Sequence, residues 1–392
     1  MRKSNSRTMR LIPVRGVFAL AMAGAVLAPQ TGLADNLWPG EEKIEAAGYP
    51  AVAYFQKGDP AKPLIVFVPG AYHAARIAYG GHEGYRPEDF LAAQLTGKGY
   101  NFLALSYPID TKSGMIEDDY PDFTASAWGK QVAEISRKMV DENGLSGDVV
   151  VLAWSMGGKA VQPAFAALKE AGLNTDTFVS LAATPGIPGL IAYSREYDMA
   201  PSGYATRPSA YAGWLGQLAA MAKADGAEIA IPEEAYLSDY VGDIPIALQG
   251  YGQVFRGGAF VFDHLAQALD YGAFEFAAYP YVVVLEGNST LDARHALLDR
   301  SYWTLYNANT VQARVDQSLK ETPGDLPAAN WVGLQDLVHG LSDQLTIPVG
   351  GNHFFFTGEA GAARTADAVD EAVKRVDALQ AELDDLLAER AN

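Results

Sequence analysis

The residues best suited to chemistry lie where a run of apolar side chains meets a serine and two glycines, Val149-Val150-Val151-Leu152-Ala153-Trp154-Ser155-Met156-Gly157-Gly158. The apolar run reads as a buried strand and the residues beyond Gly158 as a helix, so Ser155 falls at a sharp strand-to-helix turn. Such a turn strains the backbone and needs small residues two positions to either side, which Ala153 and Gly157 supply. It also aims the first N–H groups and the positive end of the helix at charge developing beside the hydroxyl, which makes the turn one half of an anion hole. A serine hydroxyl needs a base to become a nucleophile. Histidine suits that task because its ordinary pKa of about 6.5 lets it take up and return a proton near neutrality. The sequence contains no cysteine, which removes thiolate chemistry and disulfides, and no H-E-x-x-H spacing that would support a zinc site. Neither a cofactor nor a metal is expected.

The serine turn resembles the nucleophile elbow of the α/β-hydrolase family, with Ala153 in place of the first glycine of G-x-S-x-G. Two other stretches carry the same resemblance. Leu64-Ile65-Val66-Phe67-Val68-Pro69-Gly70-Ala71-Tyr72-His73 is similar to the strand and loop that supply the second anion donor, which implies the N–H groups of Ala71 and Met156 as the pair. Leu345-Thr346-Ile347-Pro348-Val349-Gly350-Gly351-Asn352-His353 is similar to the last strand and histidine loop, which implies His353 as the base. The resemblance further implies a triad acid a few residues after the penultimate strand, here Tyr281 to Leu285. The usual G-x-x-D spacing lands on Thr290, so Asp292 is the first choice and Glu286 and Asp299 are alternates; Asp343 precedes the last strand and belongs to the wrong end of the sheet. The family's chain order of nucleophile, acid and histidine implies no triad role for His73, which precedes the nucleophile; it either lines the site or caps its loop. The remaining histidines, His82, His264, His295 and His339, lie in poorer contexts. Trp154 and Tyr72 are expected to touch substrate.

These residues must be positioned by a sheet. Leu64–Val68, 102–106, 149–154, 178–182, 282–285 and 345–347 read as buried strands, and amphipathic stretches at 125–140 and 159–171 read as helices between them. Continuous apolar strands alternating with helices imply an α/β fold: a mostly parallel sheet covered on both faces, with chemistry at the carboxyl ends of its strands. Some 90 residues interrupt that alternation after Ala183, too many for a simple connection. Their aromatic residues, among them Trp214, Tyr236, Tyr240 and Tyr251, and their patterning imply a mainly helical cap over the crevice, most of its aromatics serving its own core. The expected organisation is therefore a signal segment at 1–34, core at 35–185, cap at 186–280, core again at 281–378, and a charged helical extension at 379–392. That extension is a candidate surface for a homo-oligomer.

Arg2, Lys3, Arg7, Arg10 and Arg15 precede an apolar run of about 13 residues, Gly16 to Ala28, and small residues ending at Ala34. This is the layout of a secretory signal cleaved before Asp35, and the run is shorter than the roughly 20 residues a bilayer requires. A periplasmic or secreted protein without a stable membrane anchor is expected. A net charge of −18 argues against nucleic acid as a partner. The expected activity is hydrolysis of a carboxylic ester in a small-molecule substrate, with an apolar or aromatic acyl part, through an acyl-enzyme; an exposed apolar rim on the cap would mark large lipid substrates and a closed pocket small esters. Cleavage of a carbon–carbon bond next to a ketone, or of an amide, uses the same triad; a non-catalytic binding protein on the same scaffold is the reading from another class.

Overall fold

The computed structural model describes residues 36–190, 196–322 and 324–390; the expected signal segment and its cleavage site lie outside them. Eight strands form one sheet: β1 (Glu41–Ala46), β2 (Tyr49–Gln56), β3 (Leu64–Val68), β4 (Asn101–Ser106), β5 (Asp148–Trp154), β6 (Asn174–Leu181), β7 (Tyr281–Glu286) and β8 (Thr346–Pro348). Their spatial order is β1-β2-β4-β3-β5-β6-β7-β8. β1 and β2 are antiparallel, β2 pairs antiparallel with β4, and every other pairing is parallel. The expected buried strands are all present, and β1 and β2 add an antiparallel edge.

Burial on both faces explains why the central strands read as unbroken apolar runs. Ile65, Phe67, Val150, Leu152, Val283 and Leu285 point to one core, which α1 (Leu91–Gly97) and the C-terminal helix cover. Leu64, Val66, Val68, Val149, Val151 and Val282 point to the other, under α2 (Ala125–Asn143), α3 (Val161–Glu170) and Trp303 of the long helix that follows β7. The alternation along each strand thus feeds two cores rather than one core and solvent. Local signals set the helix ends: the Thr124 hydroxyl accepts from Ala127 N–H at the start of α2, and Gly144 ends that helix with φ 64°.

The insertion between β6 and β7 is less helical than expected. It holds α4 (Tyr211–Ala224), a short helix at His264–Asp270, a hairpin of Gln253–Arg256 with Ala259–Phe262, and several single turns. Gly250, Gly252, Gly257 and Gly258, all at positive φ, break it into these short pieces. It is knitted to the loop after β3: Ala74 N–H donates to Tyr240 O at 2.9 Å and Gly242 N–H to Tyr72 O at 3.1 Å. Arg76, fully buried in that loop, bonds Glu41 of β1 at 2.7 Å through Nε and Asp239 of the insertion at 3.1 Å. Insertion, loop and sheet edge are therefore held by one buried charge network.

Between β7 and β8 run α5 (Ala293–Glu321) and α6 (Ala328–Gln344), and α7 (Glu359–Ala388) closes the chain. The separate C-terminal extension is not seen. Val369, Val376, Leu379, Leu383 and Leu387 are all buried along one continuous helix, so its apolar stripe is covered by its own chain. No helix among the described residues is long and apolar enough to cross a membrane.

Candidate active site

β5 ends at Trp154, and Ser155 follows with φ 54°, a left-handed conformation that costs a serine of order 1 kcal/mol or more. The chain then enters a 3₁₀ turn, Ser155–Ala160, that continues as α3. Thr184 N–H donates to the Ser155 carbonyl at 2.9 Å and fixes the turn from β6. Closeness of backbone explains the glycines. A Cβ on Gly157 would lie 2.8 Å from Val68 O, and one on Gly70 would lie 2.9 Å from Ser155 Cβ. Position 153 tolerates alanine, which is wholly buried there.

His353 follows β8 in a loop turned by Gly350 and Gly351, with φ 70° and 87°. Its Nδ1 is 2.9 Å from Asp292 Oδ2. The loops that carry the two residues are joined: Asn288 and Ser289 N–H both donate to Gly351 O at 3.0 Å, and Gly351 N–H donates to Asn288 Oδ1 at 3.0 Å. A 3₁₀ turn over Thr290–Asp292, capped by Ser289, takes up the two residues by which Asp292 exceeds the usual spacing. Burial raises the Asp292 pKa, but the His353 ring, together with His295 and Arg294, outweighs this and holds the carboxyl below its ordinary value. Trp154 anchors the loop from beneath, its Nε1 donating to His353 O at 2.9 Å.

Ser155, His353 and Asp292 border one cavity of about 190 Å³, together with Ala71, Met156 and Trp154. The Ser155 hydroxyl and the His353 ring face that space without a direct hydrogen bond between them. The Met156 N–H lies in the first turn of its helix, where amides lack intrahelical acceptors. Tyr72 is placed elsewhere: it is fully buried, its hydroxyl is unpartnered, and it does not line the cavity. Of the two alternate acids, Glu286 ends β7 and does not border the cavity, and Asp299 pairs with another histidine. Most insertion aromatics pack in the core, Tyr236 and Tyr240 without any exposure, while Trp214 and Tyr251 reach the cavity.

His73, read as lining the site or capping its loop, does both, and several further lining residues escaped the sequence reading. His73 is buried, its Nδ1 2.8 Å from Ala71 O and its Nε2 2.7 Å from the Tyr236 hydroxyl, and burial lowers its pKa to about 3, so it stays neutral. His295 lies with its ring 5.0 Å from that of His353 and its Nδ1 2.9 Å from Asp299 Oδ2. Arg294 donates to His295 Nε2 at 2.5 Å and to Thr184 Oγ1 at 3.1 Å. The His295-x-x-x-Asp299 spacing, which places both residues on one face of a helix, was the available signal. Lys159, Arg207, Gln217 and Gln249 also line the cavity. Asp292, His295 and His353 have donor atoms within 4.8 Å of one another, enough to hold a metal ion. The Arg294 guanidinium on His295 Nε2 makes that corner unfavourable for a cation.

The strand order, the antiparallel first strands and the strained serine turn after β5 define the α/β-hydrolase fold. No protein-family model matches the sequence, and no curated protein matches it. Among solved structures, a putative lipase from Sulfolobus solfataricus is similar over 86% of this chain and 99% of its own, at 10% identity and TM-score 0.45. An esterase from Pyrobaculum calidifontis is similar over 86% and 83%, at 13% identity and TM-score 0.42. An arylesterase is similar over 86% and 82%, at 12% identity and TM-score 0.41. At such identities the fold assignment rests on the strand order and the elbow.

Proposed function

We propose that the protein is a serine hydrolase that cleaves a small carboxylic ester through an acyl-enzyme. The observation that carries this is the strained Ser155 turn, which opens into the same cavity as a histidine fixed at 2.9 Å to a carboxylate. With Nδ1 bonded to Asp292, the ring presents Nε2 to substrate and serine, the tautomer a general base requires. His353 then takes the Ser155 proton as the hydroxyl oxygen attacks the ester carbonyl. The Ala71 and Met156 N–H groups receive the oxyanion. His353 returns its proton to the leaving alkoxide, and a water molecule, deprotonated by the same ring, releases the acid. Asp292 stays ionised throughout, in keeping with its depressed pKa.

The cavity of about 190 Å³ is smaller than the roughly 300–1,000 Å³ of sites for drug-sized ligands, which favours a short ester over a long-chain lipid. The test is hydrolysis of 4-nitrophenyl esters of graded acyl length. Activity should peak at short chains and vanish in Ser155→Ala and His353→Ala. Undiminished hydrolysis in the serine variant refutes the reading.

A further inference from the structure

The charge lining the cavity runs against the chain as a whole. The sequence holds 47 acidic and 29 basic residues, yet three cations, Lys159, Arg207 and Arg294, border the cavity against one carboxylate, Asp292, which His353 already engages. None of the three forms an ion pair among the described residues. Lys159 is 6% exposed, and its ammonium donates to the Gln249 carbonyl and lies 5.6 Å from the centre of the Tyr251 ring. Arg294 is bonded only to a hydroxyl and a neutral ring nitrogen. The Arg207 guanidinium forms no hydrogen bond with the described residues.

Two of these charges stand in unfavourable places. A buried ammonium without a carboxylate loses hydration that one carbonyl and one ring face do not restore. Arg294 lies in the first turn of the 29-residue helix α5, and Lys159 in the first turns of the helix after Ser155, where the positive end of the helix dipole disfavours cations. Lys159 and Arg294 also repel each other; burial first, and that repulsion second, bring the Lys159 pKa down to about 7. The three side chains come from separate parts of the fold, the serine helix, the insertion and the start of α5, and converge on one space. Sheet packing gives no reason for that convergence.

We infer that Arg207, Arg294 and Lys159 form an oxyanion-binding subsite beside Ser155, and that the substrate is a small ester carrying a second, negatively charged group. This rests on the ester-hydrolase reading and narrows it. An anion there would supply a contact counter-charge, where Asp292 and Asp299 act on Arg294 only from beyond ion-pair distance, and Arg207 and Arg294 offer planar donors to the oxygens of a carboxylate or phosphate. It would also orient the ester over Ser155 through a contact remote from the reacting carbon.

The experiment compares the 4-nitrophenyl monoester of glutaric acid with 4-nitrophenyl pentanoate, which has the same number of acyl carbons and no charge. Wild type should favour the glutarate ester in kcat/KM by at least about tenfold. Arg207→Gln and Arg294→Gln should each lower that preference by about 10–100-fold, the range for loss of a charge-assisted hydrogen bond, and Arg207→Lys should restore part of it. Titration calorimetry with free glutarate and with inorganic phosphate reads the subsite without catalysis. Binding that is lost in the glutamine variants supports it, and the better bound of the two assigns carboxylated or phosphorylated substrates. A wild-type preference at or below one, with neither anion bound, overturns the inference. A fluorophosphonate separates the two claims: labelling of Ser155 without anion binding leaves the hydrolase standing and removes the subsite, whereas anion binding without labelling does the reverse.

Discussion

Replacing Lys159 by methionine should make the protein more stable, and the gain should depend on pH in a way that only a buried amine produces. The Lys159 pKa falls from 10.5 to about 7, because burial strips the ammonium of water and Arg294 adds repulsion. At about 1.4 kcal/mol for each tenfold change in proton affinity, the buried charge costs ~5 kcal/mol. The sign follows from proton counting. Between about pH 7 and pH 10.5 the unfolded chain holds a proton on this lysine that the folded chain lacks, so stability rises with pH across that window. Below about pH 7 both states are protonated and the full penalty is present. Urea unfolding of wild type and Lys159→Met across this range should therefore give curves that differ most at and below about pH 7 and converge by ~1.4 kcal/mol per pH unit above it. Differences in packing between the two side chains are independent of pH and drop out of the slope. Parallel curves would refute the reasoning, since they would mean that the ammonium keeps its hydration in the folded state.

Asp292→Asn should lower kcat on a short 4-nitrophenyl ester by about 10³–10⁴, as expected when a histidine loses the partner that fixes its tautomer, while Asp299→Asn should cost far less; steady-state kinetics separates the two carboxylates. Gly70→Ala brings a methyl group to 2.9 Å from Ser155 Cβ and from the Trp154 ring, so the elbow must move and kcat should fall by about 10²-fold, the scale of a misplacement near 1 Å; an unchanged kcat would mean that the loop yields freely. Arg76→Ala leaves Glu41, which it bonds at 2.7 Å, as a buried and unpaired carboxylate, and should cost about 3–5 kcal/mol in urea unfolding.

The sheet was legible because its central strands are buried on both faces, which writes them as runs such as Leu64–Val68 and Val149–Trp154. β1 and β2 were not. They join through Ala47 and Gly48, both at positive φ, and alanine is not a residue that announces such a turn. The place of Ser155 followed from a local rule, small residues around a tight turn, and the same locality let the His353 loop be read from its glycines. Tyr72 was misplaced because a residue one step beyond the loop's donor can point to either side; here its side chain enters the core while its carbonyl accepts from Gly242. The cation cluster was invisible for a different reason. Lys159, Arg207 and Arg294 are far apart in sequence, and an overall charge of −18 hides three positive charges gathered at one point. The C-terminal helix was read correctly in its periodicity, but only the structure shows that α5 and α6 cover its second half.

The central claim is that Ser155 is a nucleophile activated by His353. Its most direct test is reaction of the purified protein with a fluorophosphonate, followed by peptide mapping of the adduct by mass spectrometry. The account predicts a single adduct on Ser155 that forms in wild type and is lost, or slowed by about 10³-fold or more, in His353→Ala. An adduct on another residue, or labelling of Ser155 at the same rate without His353, would contradict it.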